Sequence, residues 1–337
     1  MGWLSVESLQ LPRTIQRRER VPVIPKIIFA TERCDGAKWL RHNYQTVNQL
    51  LDRVGAVLLR GFDISAEIHF QNVVDIMCDN PINYIYRSTP RTELGRGIYT
   101  ATEYPPGLPI PLHNENSYQR DWPMVIMFCC LRPADSGAGQ TPLGDSVKIT
   151  SRINPNILNL FREKRVAYIR NYHDDIDLPW QTVFQTESKE EVDRYCRAHD
   201  ITATWMPNGT LRTRQVCHAF ATHPTLGQSI WFNQAHLFHP SALDEKTRSL
   251  LSEMFSEEEF PRNVTFGDGS RIDESMLSDI RSAFEEEKVM FSWSKGDILI
   301  LDNMRVAHGR SPYRGPRRVL TAMGRPYSSL QDTNRPD

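Results

Sequence analysis

At 337 residues, with 39% hydrophobic, 24% charged and 9% aromatic side chains, the chain has the makeup of a folded globular protein and not of a disordered or fibrous one. Its 40 basic and 41 acidic residues leave a formal charge of −1, so no global field would gather nucleic acid or an anionic membrane. The expected partner is therefore small, or met through a local patch. Six cysteines (Cys34, Cys78, Cys129, Cys130, Cys196, Cys217) form no C-x-x-C pair, and neither a signal peptide nor an apolar run of about 18 residues is seen. Reduced thiols in a cytoplasmic enzyme are expected.

In chain order, residues 1–26 carry Pro12, Pro22 and Pro25 around Arg13, Arg17, Arg18 and Arg20, and read as an extended, solvated arm. Docking to an acidic partner is the sharper alternative for it. Residues 27–337 show no repeat, linker or composition break, and read as one catalytic domain. Val47, Leu50, Leu51 and Val54 recur at helical spacing and stop at Gly55, after which Ala56-Val57-Leu58-Leu59 has the length of a buried strand. A second helix is expected over 66–78. From about residue 98, short β-branched and aromatic runs alternate with Pro and Gly, predicting strands at 98–104, 123–131, 165–172, 203–206, 229–233, 297–301 and 317–323. Helical inserts are expected at 154–164, 188–199, 241–257 and 272–288. The fold class is mainly β with helical inserts.

Within this pattern, Ile110-Pro-Leu-His113-Asn-Glu115 places an imidazole and a carboxylate two residues apart in a segment read as extended, so both would project to one face. Far downstream, Gly296-Asp297 turns into the apolar run 298–301, Asp302-Asn303 turns out of it, and His308 begins the returning segment. Two imidazoles and one carboxylate occupy one face of an octahedron and leave three positions open, the set that non-haem iron(II) oxygenases need. A chelating 2-oxo acid fills two of these and dioxygen the third. His113, Glu115 and His308 are thus the expected Fe(II) ligands. A distal carboxylate on the co-substrate calls for a guanidinium, and Arg318, entering the run 317–323, is the expected anchor, with Arg317 or Arg314 as the nearby alternatives. The Thr141 hydroxyl is expected to add a second contact. The rival pair His236-x-x-His239 would put its imidazoles on opposite strand faces, so a lining role is expected there.

Together these features resemble the TauD/TfdA (taurine dioxygenase-like) family: Leu59-Arg60-Gly61-Phe62, His113-x-Glu115, the run Gly137–Asp145, Gly296-Asp297 to Asn303, His308-Gly-Arg310 and Arg317-Arg318 occur in the family's order. The resemblance implies a double-stranded β-helix (jelly-roll, cupin-like) core, Fe(II), and 2-oxoglutarate and O2 as co-substrates. Glutamate at position 115, with the stretches Ser88–Pro105 and Leu178–Thr186, is similar to the clavaminate synthase and syringomycin-type aspartyl β-hydroxylase branch; related halogenases lack this carboxylate, so Glu115 argues against halogenation. The branch implies hydroxylation at the β-carbon of an amino acid, free or tethered to a peptidyl carrier protein, in specialised metabolite (antibiotic) biosynthesis. Desaturation, cyclisation or epimerisation would use the same ligands, and a zinc hydrolase or a non-catalytic jelly-roll binding protein are readings from other classes. Candidate substrate contacts flanking the metal segment are Arg91, Arg96, Tyr99, Thr102, Asn116 and Ser117, although Tyr99 and Thr102 equally suit an ordinary strand and Arg96 an exposed loop.

Overall fold

The computed structural model describes residues 25–32, 34–78, 86, 88–173 and 176–329, so most of the expected N-terminal arm lies outside the described residues. Two sheets face one another across a central layer of side chains. The larger runs Lys26–Phe29, Ala56–Arg60, Ile298–Asp302, Asp121–Arg132, Arg318–Ser328, Ile98–Thr100 and Glu93–Gly95 across its width; the smaller holds Ile110–His113, Val306–Arg310 and Leu143–Asp145. Pairing is antiparallel except between the first two strands of the larger sheet, which run parallel. This is a jelly-roll core.

The two-residue period of a strand explains why the larger sheet is apolar on both faces. Ile126, Phe128 and Cys130 of the strand Asp121–Arg132 point inward with Leu58, Leu299, Leu301 and Val319, and meet Leu143 and Val306 of the smaller sheet. Their neighbours Val125, Met127, Cys129 and Leu131 point outward and bury the helices Gly36–Val54 and Glu67–Met77 with Val57, Leu59, Ile298 and Ile300. The first helix starts where Asp35 caps it, accepting from the Lys38 amide at 2.9 Å, and stops at Gly55, whose φ of +78° forms a left-handed cap. The sequence pattern placed this helix and its stop correctly.

The segment 146–288 adds a four-stranded sheet, Arg262–Phe266, Val166–Tyr172, Leu211–Cys217 and Thr202–Trp205, with the helices Pro155–Lys164, Lys189–Ala198 and Glu274–Glu286 around it. Its core takes in Leu112 and Ala307 from the outer face of the smaller sheet, so that sheet is buried on both sides. The helix expected over 241–257 is shorter, Glu245–Met254, because Asp244 caps it by accepting from the Thr247 amide at 3.0 Å. Among the described residues, no helix is long and apolar enough to cross a membrane.

Candidate metal centre and its cavity

His113 and His308 are direct register partners across the smaller sheet, and their ring centroids lie 4.6 Å apart. One residue on, the pairing shifts by a bulge, and a Cβ on Gly309 would stand 2.5 Å from the Ile110 carbonyl oxygen. Only glycine fits this approach of backbones. Glu115 reaches the same point by a different route from the expected one. The strand ends at His113, and Glu115 opens a turn that continues through Asn116 at a φ of +57°. What aims its side chain is Asn303, which accepts from the Glu115 amide at 2.7 Å and donates to the Glu115 carbonyl at 2.9 Å. Asn303 also donates to Pro123 O at 2.8 Å, and Asn114 donates to Asn303 O at 2.6 Å. Glu115 Oε2 then lies 3.6 Å from His308 Nε2 and 3.9 Å from His113 Nε2, and one ligand atom from each residue falls within 4.8 Å of the others.

The protonation states suit a divalent cation. Burial alone would raise the Glu115 carboxyl, but the Arg91 guanidinium, donating from Nη2 at 2.9 Å, and the two imidazoles hold it well below the usual carboxylate range. Burial pushes the His308 imidazole down to about 4, so it stays neutral at physiological pH. His113 Nδ1 sits 2.9 Å from the Pro111 carbonyl oxygen, a contact that places the proton on Nδ1 and leaves the Nε2 lone pair for a metal. Two imidazoles and one ionised carboxylate, converging on one point, are a donor set that would suit Fe(II).

The two histidines line a cavity together with Arg91, Thr102, Ile110, Phe128, Thr141, Arg310, Arg317 and Val319. Thr141 is fixed by Trp293, whose indole N–H donates to its hydroxyl oxygen at 3.0 Å, so the hydroxyl proton is left to donate elsewhere. Arg318 faces away from this cavity. Its guanidinium is exposed and pairs with Glu67 of the outer helix Glu67–Met77. The cause is strand parity: Val319 points inward, so its neighbour Arg318 points outward and Arg317 returns to the cavity side. Gly139, at a φ of +66°, gives Arg317 its room, since a Cβ there would meet Arg317 Cδ and Nε at 3.0 Å.

Of the other sequence candidates, Thr102 and Arg91 line the cavity, and Arg91 spends one of its donors on the Glu115 carboxylate. Tyr99 belongs to the apolar layer between the sheets. Arg96 is exposed at the tip of the Glu93–Thr100 hairpin, away from the cavity, where its carbonyl accepts from Gln71. Asn116 and Ser117 are buried in the turn after Glu115, and Ser117 Oγ donates to Asn114 O at 2.9 Å. His236 sits on the short helix Ala235–Phe238 against the Phe284 ring with Nε2 3.2 Å from Leu112 O, while His239 Nδ1 accepts from the Ser241 amide. They form no metal pair. Asn303 was read only as part of a turn and Arg310 only as part of a motif; a side chain that grips distant backbone leaves no periodic signal.

The chain matches the family described as "Taurine catabolism dioxygenase TauD, TfdA family" over residues 19–323. It is 37% identical over 291 residues to the dapdiamide synthesis protein DdaC of Enterobacter agglomerans, covering 86% of this chain and 88% of that one. A clavaminate synthase-like protein of Arabidopsis thaliana is 28% identical over 288 residues, covering 82% and 83%. Among solved structures, PvcB of Pseudomonas aeruginosa, an Fe, alpha-ketoglutarate-dependent oxygenase from an isonitrile synthetic pathway, shares the fold at a TM-score of 0.51 and 15% identity, over 89% of this chain and 86% of that one. An asparagine oxygenase solved with Fe(II), 3-hydroxyasparagine and succinate does so at 0.51 and 12%, over 88% and 86%. With a family match over nearly its whole length and a metal site of the required composition, the chain belongs to the TauD, TfdA family of Fe(II)- and 2-oxoglutarate-dependent dioxygenases.

Proposed function

We propose that the protein hydroxylates an unactivated C–H bond, at the β-carbon of an amino acid or of an aminoacyl group held on a peptidyl carrier protein, in the assembly of a specialised metabolite. The 37% identical relative is named for the synthesis of dapdiamide, which supports a biosynthetic role of this kind. The observation that carries the reading is the placing of Thr141 and Arg317 on the walls of the same cavity that holds His113 and His308.

His113, Glu115 and His308 would hold Fe(II), which supplies oxygen activation coupled to the conversion of 2-oxoglutarate to succinate and CO2. The protein's part is to bind and orient. Arg317, with its planar fork, and the Thr141 hydroxyl would take the distal carboxylate of 2-oxoglutarate, which leaves the 2-oxo acid end to face the metal. Burial pushes the Arg317 guanidinium down from its ordinary value, but an arginine side chain keeps its proton in proteins, so it arrives charged. Phe128 and Val319 supply apolar walls that exclude water from the reacting centre. Thr102 and Arg91 also line the cavity, where they would meet the substrate's polar groups.

The test is mass spectrometry on a panel of free and carrier-bound amino acids, with Fe(II), 2-oxoglutarate and oxygen. A gain of one oxygen, matched by succinate, supports the reading. Turnover with zinc in the absence of oxygen would overturn it, and a loss of two hydrogens would replace hydroxylation by desaturation.

A further inference from the structure

A segment joins the strand Ile98–Thr100 of the larger sheet to the strand Ile110–His113 of the smaller one, and so links two walls of the cavity. Both of its ends line the cavity, through Ala101 and Thr102 on one side and Ile110 on the other. Both ends are also tied to a sheet: the Ala101 amide donates to Val319 O at 3.0 Å, and Ile110 is the register partner of Arg310. Residues 103–109 between them are exposed.

What holds the middle of this strap is Arg310. Its Nη1 donates to Tyr104 O at 2.9 Å, and its Nη2 donates to Pro105 O at 2.7 Å and to Leu108 O at 2.9 Å. The guanidinium is 6% exposed and stacks over the Tyr313 ring at 5.2 Å. Tyr313 adds one backbone bond, its amide donating to Pro106 O at 2.9 Å, and the Leu108 amide closes a turn on Pro105 O at 3.1 Å. A charged, planar group with several donors is thus spent on main-chain carbonyls of a single exposed segment, two residues from the metal ligand His308.

We infer that Arg310 is a positioning residue that fastens the strap 103–109 between the two cavity walls, and that this fastening keeps oxygen activation coupled to hydroxylation. The reasoning is one of geometry. The strap is the connection through which the wall at Ala101–Thr102 and the strand carrying His113 are spaced, and a strap that lifts would widen the gap between them and admit water. Lysine cannot replace the arginine, because a single ammonium on a flexible stem cannot span three carbonyls set by a fork.

Hydrogen exchange on the metal-free protein tests the fastening by itself. In Arg310→Met and Arg310→Lys, the amides of Leu108 and Tyr313, which both donate into the strap, should exchange about tenfold faster or more, while amides in Asp121–Arg132 keep the wild-type rate. The coupling half rests on the oxygenase reading above and is measured separately, as succinate formed per hydroxylated product: both variants should form excess succinate, with the half-saturating 2-oxoglutarate concentration kept within about twofold. A double variant, Pro105→Gly with Pro106→Gly, loosens the strap without touching Arg310, and should show the same excess. Wild-type exchange at Leu108 and Tyr313 in folded Arg310 variants would overturn the inference. So would tight coupling in the folded double-glycine variant. A steep rise in the 2-oxoglutarate requirement with exchange unchanged would instead make Arg310 a co-substrate ligand and overturn its role as a fastener. Absence of any turnover in the wild type would sink the oxygenase reading and leave the exchange result standing.

Discussion

Asn303 grips the main chain of Glu115 from both sides, accepting from its amide at 2.7 Å and donating to its carbonyl at 2.9 Å. The two residues are 188 positions apart, and the pair is fully buried, so the candidate metal-binding carboxylate is aimed by the turn that leaves the strand Ile298–Asp302. Replacing Asn303 by leucine leaves the Glu115 amide and carbonyl, and the Pro123 carbonyl, without this partner. The expected cost is about 2–4 kcal/mol of stability, since each stranded buried polar group costs on the order of 1–3 kcal/mol and relaxation recovers part. Asn303→Asp should keep the accepting bond and lose the donating ones. Urea unfolding of both variants, with Co(II) titration as a stand-in for Fe(II), checks this; wild-type cobalt affinity in Asn303→Leu would show that Glu115 is aimed by something else.

Arg91 and Glu115 form a second buried relationship, with side chains 3% and 4% exposed. Removing one partner of a buried ion pair strands the other charge, at about 3–5 kcal/mol. Arg91→Met should therefore be strongly destabilised when metal-free. A divalent cation replaces the missing positive charge, so the rise in melting temperature on adding Co(II) should be larger in the variant than in the wild type. An equal or smaller rise would mean that Arg91 is not what compensates Glu115 in the metal-free protein.

Much of this centre is legible in the sequence because it follows local rules. Gly55 ends a helix, the apolar run 298–301 is a strand between two turns, and His113, Glu115 and His308 bring ligand atoms within 4.8 Å of one another. The errors have one physical origin each. Arg317 and Arg318 are adjacent arginines at the mouth of a strand, and which one faces inward depends on parity set by pairing with Asp121–Arg132, where a bulge falls between Arg318 and Val319. Alternation says that the two point to opposite faces, but not which of them faces inward. Glu115 was placed on a strand because H-x-E reads as alternation, whereas the chain turns at once and the aim is restored by Asn303. Arg310 and Asn303 each act through several long-range hydrogen bonds to backbone, which no composition or spacing reports.

The two arginines separate cleanly in an assay. Arg317→Ala should raise the half-saturating 2-oxoglutarate concentration by about thirtyfold or more, because a desolvated guanidinium–carboxylate contact is worth about 2–5 kcal/mol to its ligand. Arg318→Ala removes only an exposed pair with Glu67 and should stay within about twofold of the wild type. Succinate release against 2-oxoglutarate concentration measures both. A large effect at Arg318 with none at Arg317 would return the anchor to the outward-facing residue and contradict the parity of the strand.

His236 supplies a pH dependence whose sign can be worked out. It is 1% exposed, and burial pushes its imidazole down to about 3 from an ordinary value of 6.5. Below 6.5 the unfolded chain binds a proton that the folded chain refuses, so the unfolded state gains, and stability falls as pH drops from about 6.5 toward about 3. Above that window the contribution is complete and flat. Between pH 7 and pH 5 the loss from this one group is about 2 kcal/mol, at roughly 1.4 kcal/mol per pH unit below the unfolded value. His236→Gln keeps a donor for Leu112 O but cannot titrate, so its stability should change less over the same interval, whatever its absolute value. Urea midpoints of the metal-free proteins at pH 5 and pH 7 give the difference of differences, which cancels the carboxylates common to both. If the variant loses as much stability as the wild type on acidification, the buried imidazole takes up its proton in the folded state, and the contact with Leu112 must rearrange to let it.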